Sequence, residues 1–203
     1  MSKIDIVDGF YRVLLRIEEI PKLGVALPVA PGQVPLVAFP SAVPMGWVES
    51  LPYLTTLTET VCDLSNAKLA DRLYINEPHR LKGTAATTAH DVPRVPPPRA
   101  ADAARSIQRR TPQAASVDIY VDDFLLLAQT KTQQDRVLRT ALNTIDEVFR
   151  PLKPGDPSHR KEPSSVKKML KGNASWSTCK RLLVGWDVDS IEMTLNLPPH
   201  RLK

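Results

Sequence analysis

The chain has 203 residues, a formal net charge of +5 and a sequence pI near 9.3. This length accommodates one domain with a substantial core, and the mild excess of positive charge weakly favours a polyanionic partner such as nucleic acid. Two cysteines, Cys62 and Cys179, are too few for a zinc motif or a disulfide framework, which indicates a reducing, intracellular compartment, cytoplasm or nucleus. The sequence shows no signal peptide and no apolar run long enough to span a membrane.

The first predicted element is an extended segment at residues 3–17. Ile4 and Ile6 alternate with Asp5, so a strand places the Asp5 carboxylate on the face opposite both isoleucines. Gly9 interrupts the run and is a position where the backbone can approach a ligand closely. An acidic strand this early in the chain suggests that upstream sequence belongs to the same unit.

A hairpin and a long helix are predicted next. Apolar runs at residues 23–27 and 36–39 flank a Pro-rich turn, which is typical of a hairpin. Ser50 is suited to cap a helix that carries Pro52 in its first turn. Apolar residues recur at helical spacing to about Leu73, and they are Leu54, Leu57, Val61, Leu64 and Ala67. The Thr-rich opposite face is expected to meet solvent or a partner.

Residues 76–115 differ in composition from the rest of the chain. Prolines and basic residues are interspersed there without any period, and they include Arg80, Lys82, Pro93, Arg94, Pro96, Pro97, Pro98, Arg99, Arg105, Arg109 and Arg110. We predict a mobile basic insertion or loop between two parts of one domain, residues 1–75 and 116–203. Two interpretations remain open, a solvated linker and an arm that tracks phosphates.

Two adjacent carboxylates, Asp122 and Asp123, separate two predicted strands. Residues 116–121 alternate and are rich in β-branched side chains, whereas residues 124–128 are continuously apolar. The short acidic link predicts a tight hairpin that holds both carboxylates at a sheet edge, within reach of water and a metal ion. The dipeptide alone is also compatible with a solvated turn, and a Mg²⁺ site needs another carboxylate from elsewhere in the chain.

The C-terminal part is predicted to contain a helix and a second hairpin. Residues 132–149 form an amphipathic helix whose apolar face comprises Val137, Leu138, Leu142, Ile145, Val148 and Phe149. Pro151 ends this helix, and residues 151–172 are basic and irregular. Residues 181–188 and 191–197 predict two strands joined near Asp189.

Four motifs in this order resemble those of reverse transcriptases from eukaryotic retrotransposons. Residues 120–123 (YVDD) are similar to the family's Tyr-x-Asp-Asp motif, and residues 5–11 (DIVDGFY) to the motif with its first catalytic aspartate. Residues 44–52 (PMGWVESLP) resemble the element that opens the long palm helix, and residues 183–186 (LVGW) the hairpin that grips the primer end. The resemblance implies an α+β polymerase palm with an antiparallel sheet backed by helices, and with fingers and thumb largely missing from the chain.

The resemblance also implies an RNA-directed DNA polymerase of the DNA/RNA polymerase superfamily. Its reaction is two-metal nucleotidyl transfer, in which a primer 3′-hydroxyl attacks a deoxynucleoside triphosphate (dNTP). The implied cofactors are two Mg²⁺ ions, with Mn²⁺ as a substitute. Asp5 and Asp122 are the implied principal catalytic ligands, Asp123 is a supporting one, and the Ile6 backbone faces a metal ion or the triphosphate.

Further site residues follow from the same resemblance. The implied substrate-binding residues are Asp8, Gly9 and Phe10 beneath the incoming nucleotide, Gly46 and Trp47 near the base and template, and Tyr120 near the primer terminus. The implied primer-grip residues are Val184, Gly185 and Trp186. Met45 departs from the family pattern, because many retroviral enzymes have Gln there, and Leu51 interrupts a usual Ser-Pro pair. Neither departure removes a metal ligand.

The implied partners are an RNA or DNA template with its primer, dNTP, and the fingers, thumb and RNase H parts of a larger polyprotein. We expect residues 1–203 alone to extend a primer poorly, because fingers hold the triphosphate and a thumb holds the duplex. The alternative is a catalytically inactive retroelement remnant that only binds nucleic acid.

Overall fold

The computed structural model of the chain describes residues 1–71, 73–85, 115–150, 155, 161–177, 181–183 and 185–201. Within these residues the protein combines small antiparallel sheets with a few helices, so the α+β prediction is confirmed at this level. None of the helices within these ranges has the length and apolar character needed to cross a membrane.

The central sheet joins the first residues of the chain to the acidic hairpin. Its strands are β1 (Ser2–Asp5), β4 (Ala115–Tyr120) and β5 (Asp123–Ala128), in the order β1-β5-β4 with both pairs antiparallel. The predicted hairpin is confirmed, and its turn consists of Val121 (φ 59°) and Asp122. Asp123 was expected in the turn as well, but it is the first residue of β5 because it pairs with β1.

Helix α1 (Ser50–Ala70) packs against β4, but its buried face differs from the predicted one. The predicted Ser50 cap is wrong, since the Ser50 hydroxyl donates to the Pro44 carbonyl (2.6 Å) and Glu49 occupies the cap position. The buried residues are Leu54, Thr58, Val61, Cys62, Ser65 and Leu69, whereas Leu64 and Ala67 are exposed. Small side chains face the core because the neighbouring elements lie close, and the helix's own carbonyls satisfy the Thr58 hydroxyl.

Helix α2 (Lys131–Phe149) completes the core, and its apolar face is confirmed. It begins with a capping box in which Thr130 and Gln133 satisfy each other's backbone N–H groups. It packs against α1 and against the β4–β5 hairpin. The core side chains shared by the sheet and the two helices include Ile4, Leu54, Val61, Val117, Phe124, Leu126, Val137, Leu142 and Ile145.

The segment after β1 is not extended to residue 17 as predicted. Asp8 adopts a left-handed backbone (φ 53°), and a 3₁₀ helix follows at Gly9–Arg12. The Arg12 side chain donates to the carbonyls of Val7 (2.6 Å) and Glu162 (2.5 Å), which holds this turn against a distant part of the chain. These long-range bonds explain why the local alternation of apolar residues did not decide the conformation. The hairpin predicted next is confirmed as the exposed two-stranded pair β2 (Val25–Ala26) and β3 (Val37–Ala38).

The first ten residues of the predicted insertion belong to the fold, contrary to the expectation of a projecting loop. The Asn76 amide donates to the Arg136 carbonyl (3.2 Å), and its oxygen accepts from the Thr140 hydroxyl (2.9 Å). His79 is buried against Asp146, which fastens this stretch to helix α2. Residues 86–114, which carry most of the predicted basic loop, lie outside the described residues.

The C-terminal part contains a short helix and a three-stranded sheet. Helix α3 (Val166–Leu170), capped by Ser165, lies within the stretch that was predicted to be irregular. The strands β6 (Arg181–Leu183), β7 (Trp186–Asp189) and β8 (Thr194–Asn196) pair antiparallel in that order. The sequence predicted two strands, but the first run is divided into β6 and β7, and Gly185 before β7 has φ 89°.

Candidate metal centre

The register of the central sheet places acidic residues from two distant parts of the chain side by side. Asp5 at the end of β1 lies directly opposite Asp123 at the start of β5, and Tyr120 at the end of β4 lies opposite Asp123 on the other side. Alternation puts Ile4 and Phe124 on the helix-facing side, so the two carboxylates occupy the other face. Cross-strand neighbours of this kind are close enough for their side chains to interact.

A second layer covers the Asp5 carboxylate on that face. Asp5 is only 2% exposed. Lys168 of helix α3 donates to Asp5 Oδ1 (2.8 Å), and the Asn173 amide lies 3.5 Å from Oδ2. Lys3 Nζ lies 3.3 Å from Asp5 Oδ1 and 2.7 Å from Asp123 Oδ2, so it bridges the two carboxylates. The candidate centre therefore contains two buried or half-buried carboxylates and two ammonium groups.

The pKa values of the two carboxylates are shifted in opposite directions. Burial alone favours the neutral form of Asp5, but hydrogen bonding from Asp123 and the charges of Lys168 and Lys3 outweigh it and lower its pKa. Burial, the hydrogen bond with Asp5 and the Asp5 charge raise the pKa of Asp123 to about 6, although Lys3 opposes the shift. For Lys3, burial favours the neutral form, yet Asp123 and Asp5 prevail and its pKa is raised. The pair holds a proton on Asp123 at mildly acidic pH.

Asp122 joins this group through its backbone. Its carbonyl accepts a hydrogen bond from the Ile6 N–H (3.2 Å), so the turn of the hairpin is fixed next to the end of β1. The Asp5 carbonyl is engaged by the Ser165 N–H (2.9 Å), while the Ile6 side chain is buried. Within the described ranges, no group of three or more His, Cys, Asp or Glu side chains is arranged to hold a metal ion.

The donor chemistry of the pair fits a hard divalent cation. Mg²⁺ takes carboxylate oxygens and is usually bound by one or two carboxylates together with substrate phosphates. Asp5 and Asp123 bring two carboxylates into hydrogen-bonding reach of each other, with Asp122 adjacent in the chain. The ammonium groups of Lys3 and Lys168 lie where positive charge is needed to hold these carboxylates together. A cation that binds there has to replace part of the positive charge that Lys3 and Lys168 supply.

Asp8, Gly9 and Phe10, predicted to lie beneath a nucleotide, follow the centre directly in the chain. Asp8 is exposed and pairs with Lys161 (3.0 Å). Gly9 is buried, and a Cβ there would lie 3.3 Å from Leu54 Cδ1, so a close approach to α1 accounts for this glycine. Phe10 is half-buried and packs against the hydrophobic core.

Gly46 and Trp47, predicted to lie near base and template, form the turn that enters helix α1. Gly46 has φ +93° with open space around it, so its backbone conformation accounts for the glycine. Trp47 stacks on Tyr53, with ring centroids 6.2 Å apart. Both rings border a cavity of about 450 Å³ whose polar lining includes Arg16 and Lys22.

Tyr120 and the C-terminal hairpin occupy different positions relative to the carboxylates. Tyr120 is 60% exposed and lines a cavity of about 230 Å³ together with Lys3 and Asp123. Val184 lies outside the described residues. Gly185 has φ +89° in the β6–β7 turn, and Trp186 is about half exposed. In the part of the chain that the structure describes, no hydrogen bond joins these two residues to the aspartates.

Sequence analysis missed two residues of the centre. Lys3 precedes Asp5 by two positions, so the alternation that assigned Asp5 to one face also placed Lys3 there. Lys168 has no such signal, because it is 163 residues away from Asp5 and belongs to a stretch without periodicity. Its position depends on the tertiary packing of α3 against β1.

No family model matches the chain. A search of curated proteins finds no match either. The resemblance described above therefore depends on the four motifs and on the geometry of their residues.

Proposed function

We propose that the chain is the palm of an RNA-directed DNA polymerase that transfers deoxynucleotides to a primer 3′-hydroxyl. The observation that carries the proposal is the pairing of Asp5 with Asp123, together with the bond from the N–H of Ile6, the residue after β1, to the Asp122 carbonyl. The motif that begins at Asp5 and the YVDD motif are more than 100 residues apart in the sequence. Their convergence at one end of one sheet is what a shared metal centre requires.

In this proposal Asp5, Asp122 and Asp123 hold the divalent cations, and Ile6 contributes at most its carbonyl because its N–H is engaged. When bound, the cations supply Lewis-acid activation of the attacking hydroxyl and charge stabilisation of the leaving pyrophosphate. Asp123 has to release its proton for this role, which its pKa of about 6 permits at neutral pH. Before the cations bind, the hydrogen bond from Lys168 holds the Asp5 carboxylate in place.

The residues around the centre have supporting roles in this proposal. Tyr120 borders the cavity next to Asp123, where a primer terminus would lie against its exposed ring. Trp47 and Tyr53 offer a stacked aromatic surface for a template base. Phe10 follows the centre by five residues and is proposed as the group that crowds a ribose 2′-hydroxyl. Fingers, thumb and RNase H parts are proposed as partners of this palm.

A second candidate function is nucleic-acid binding without catalysis. It is favoured by the ammonium groups of Lys3 and Lys168, which already pair with the carboxylates that a cation would need. A structural ion-pair cluster of this kind stabilises the sheet end and leaves no role for a metal ion.

Primer extension distinguishes these functions. A protein that carries this chain together with fingers and thumb segments is given an RNA template, a DNA primer, dNTPs and Mg²⁺. We expect extension that Asp122→Asn abolishes with little change in template binding, whereas residues 1–203 alone extend poorly because positioning supplies roughly 7–11 kcal/mol of a barrier. Asp63→Asn is the matched control, since Asp63 is an exposed carboxylate on helix α1 and does not line the cavity shared by Tyr120 and Asp123. Extension that survives Asp122→Asn would refute the metal assignment.

A further inference from the structure

A pocket at the other end of the central sheet is lined by two arginines that form no ion pair with a carboxylate among the described residues. It has a volume of about 360 Å³ and is lined by Tyr74, Asn76, Thr132, Gln133, Arg136 and Arg139. The chain reaches it from Ala128, the last residue of β5, whereas Asp123 is the first residue of that strand. Six strand residues span roughly 17 Å, so the pocket is separate from the candidate metal centre.

Where the structure describes the chain, the two arginines of the pocket have only neutral partners. Arg136 donates to the carbonyls of Leu69 and Asp71 (both 3.1 Å), at the C-terminus of helix α1. The Arg139 Nε donates to the Asp135 carbonyl (3.2 Å). Across the described ranges, neither guanidinium forms an ion pair with a carboxylate, although both side chains are half-buried. The partial negative charge of the α1 C-terminus compensates Arg136, but Arg139 has no such compensation.

Among the described residues, the nearby acidic groups form no ion pair with the arginines of this pocket. The Asp71 carboxylate accepts the Leu73 N–H (2.8 Å), and Asp135 is exposed. Glu147 is engaged by Lys68, whose Nζ lies 2.6 Å from both of its carboxylate oxygens. Half-buried guanidinium groups without a charged partner favour an anion, and their forked donors suit the oxygens of a phosphate group.

Tyr74 supplies an aromatic side to the pocket, whose other lining residues are polar. The Tyr74 ring borders the cavity and has Lys68 Nζ 5.5 Å from its centroid. Asn76 fixes the wall in place through its bonds to Arg136 and Thr140 of helix α2. The Gln133 N–H is already engaged by the Thr130 cap, so the attraction for an anion comes from the arginines rather than from the helix terminus.

We propose that this pocket binds a nucleotide, with its phosphate on Arg136 and Arg139 and its base against Tyr74. The shared chemistry is a phosphate ester next to an aromatic base, and the nucleotide is either free or part of a single strand. This inference is independent of the proposed polymerase activity, because it uses none of the residues of the metal centre.

Calorimetric titration of residues 1–203 without divalent metal tests the site. We expect deoxyadenosine 5′-monophosphate to bind saturably, and deoxyadenosine without its phosphate to give no saturation. Arg139→Gln should weaken binding at least tenfold. Lys82→Gln, which removes one exposed positive charge near helix α3, should leave binding within twofold of the unmodified chain. Equal binding by Arg139→Gln and the unmodified chain, or no saturation at all, would overturn the proposal.

Two further titrations identify the ligand. Tyr74→Leu should reduce the affinity for the monophosphate to that for inorganic phosphate. The nucleotide assignment would be overturned if inorganic phosphate bound the unmodified chain as tightly as the monophosphate does. A decamer of deoxyadenosine that binds more tightly than the monophosphate, with the same dependence on Arg139, would assign the site to a strand. Tighter binding of the monophosphate would assign it to the free nucleotide. Unchanged circular dichroism shows that each variant is folded.

Discussion

Replacing Asp123 by Asn should stabilise the isolated fold, because Asp123 is a carboxylate held beside another carboxylate. Its pKa of about 6, against 3.8 for an unperturbed group, means that ionisation is disfavoured in the folded state. At 1.36 kcal/mol per pKa unit this amounts to about 3 kcal/mol above pH 6. Asn cannot form the ion pair with Lys3, and the side chain is one-fifth exposed, so we expect a net gain of about 1–2 kcal/mol.

The gain from Asp123→Asn has a defined pH dependence. A raised folded-state pKa means that the unmodified chain loses stability as pH rises from about 4, the unfolded value, through about 6. The variant does not titrate there, so its advantage should be absent below pH 4, grow between pH 4 and 6, and stay constant above. Urea unfolding at pH 3.5, 5, 6 and 8, followed by circular dichroism, measures this advantage.

Magnesium should narrow the difference in stability between Asp123→Asn and the unmodified chain. At ten times its dissociation constant, Mg²⁺ that binds only the folded state adds about 1.4 kcal/mol. This increment should appear in the unmodified chain and in Asp63→Asn, and be reduced in Asp123→Asn. Equal or lower stability of Asp123→Asn at pH 8 without Mg²⁺ would refute the account of a strained carboxylate pair.

Three other predictions test the scaffold around the site by urea unfolding. Asp146→Asn, which breaks contacts to His79 and Arg80, should lower the free energy of unfolding by about 2 kcal/mol at pH 7. Because these contacts lower the Asp146 pKa, the loss should shrink as pH falls below about 4. A pH-independent loss would contradict this explanation. Gly46→Ala should cost about 1 kcal/mol through its left-handed backbone, whereas Gly83→Ala, also in open space, should cost nothing; equal effects would remove the backbone argument. Leu54→Ala should lower the free energy of unfolding by about 2–5 kcal/mol and Leu64→Ala by less than about 1 kcal/mol, whereas equally large losses would restore Leu64 to the buried face predicted from sequence.

The sequence identified the elements whose signals are local. The hairpin around Asp122 follows from alternation on one side and a continuous apolar run on the other, and the structure has both strands. Helix α2 follows from a strong helical period that ends before Pro151, whereas its Thr130 cap was not predicted. The predicted α1 face was right for Leu54 and Val61 but wrong for Leu64 and Ala67, since Thr58 and Ser65 are small enough to pack in the core and the apolar period did not include them.

The parts of the site that depend on long-range contacts could not be predicted. Lys168 and Asn173 reach Asp5 through the packing of distant segments, which no local period encodes. The 3₁₀ turn after β1 is held by Arg12 bonds to residues about 150 positions away. Gly185, which separates β6 from β7, has a left-handed backbone. The apolar residues around it favoured one continuous strand, so this break was not predicted.

Binding of Mn²⁺ to residues 1–203, followed by electron paramagnetic resonance at pH 7.5, tests the central claim most directly. The account predicts a saturable site from which Mg²⁺ displaces Mn²⁺. Asp5→Asn should weaken binding at least tenfold, a loss of about 1.4 kcal/mol, while Asp63→Asn on helix α1 retains it. Binding of Mn²⁺ by Asp5→Asn as tightly as by the unmodified chain would contradict a metal centre at Asp5, Asp122 and Asp123.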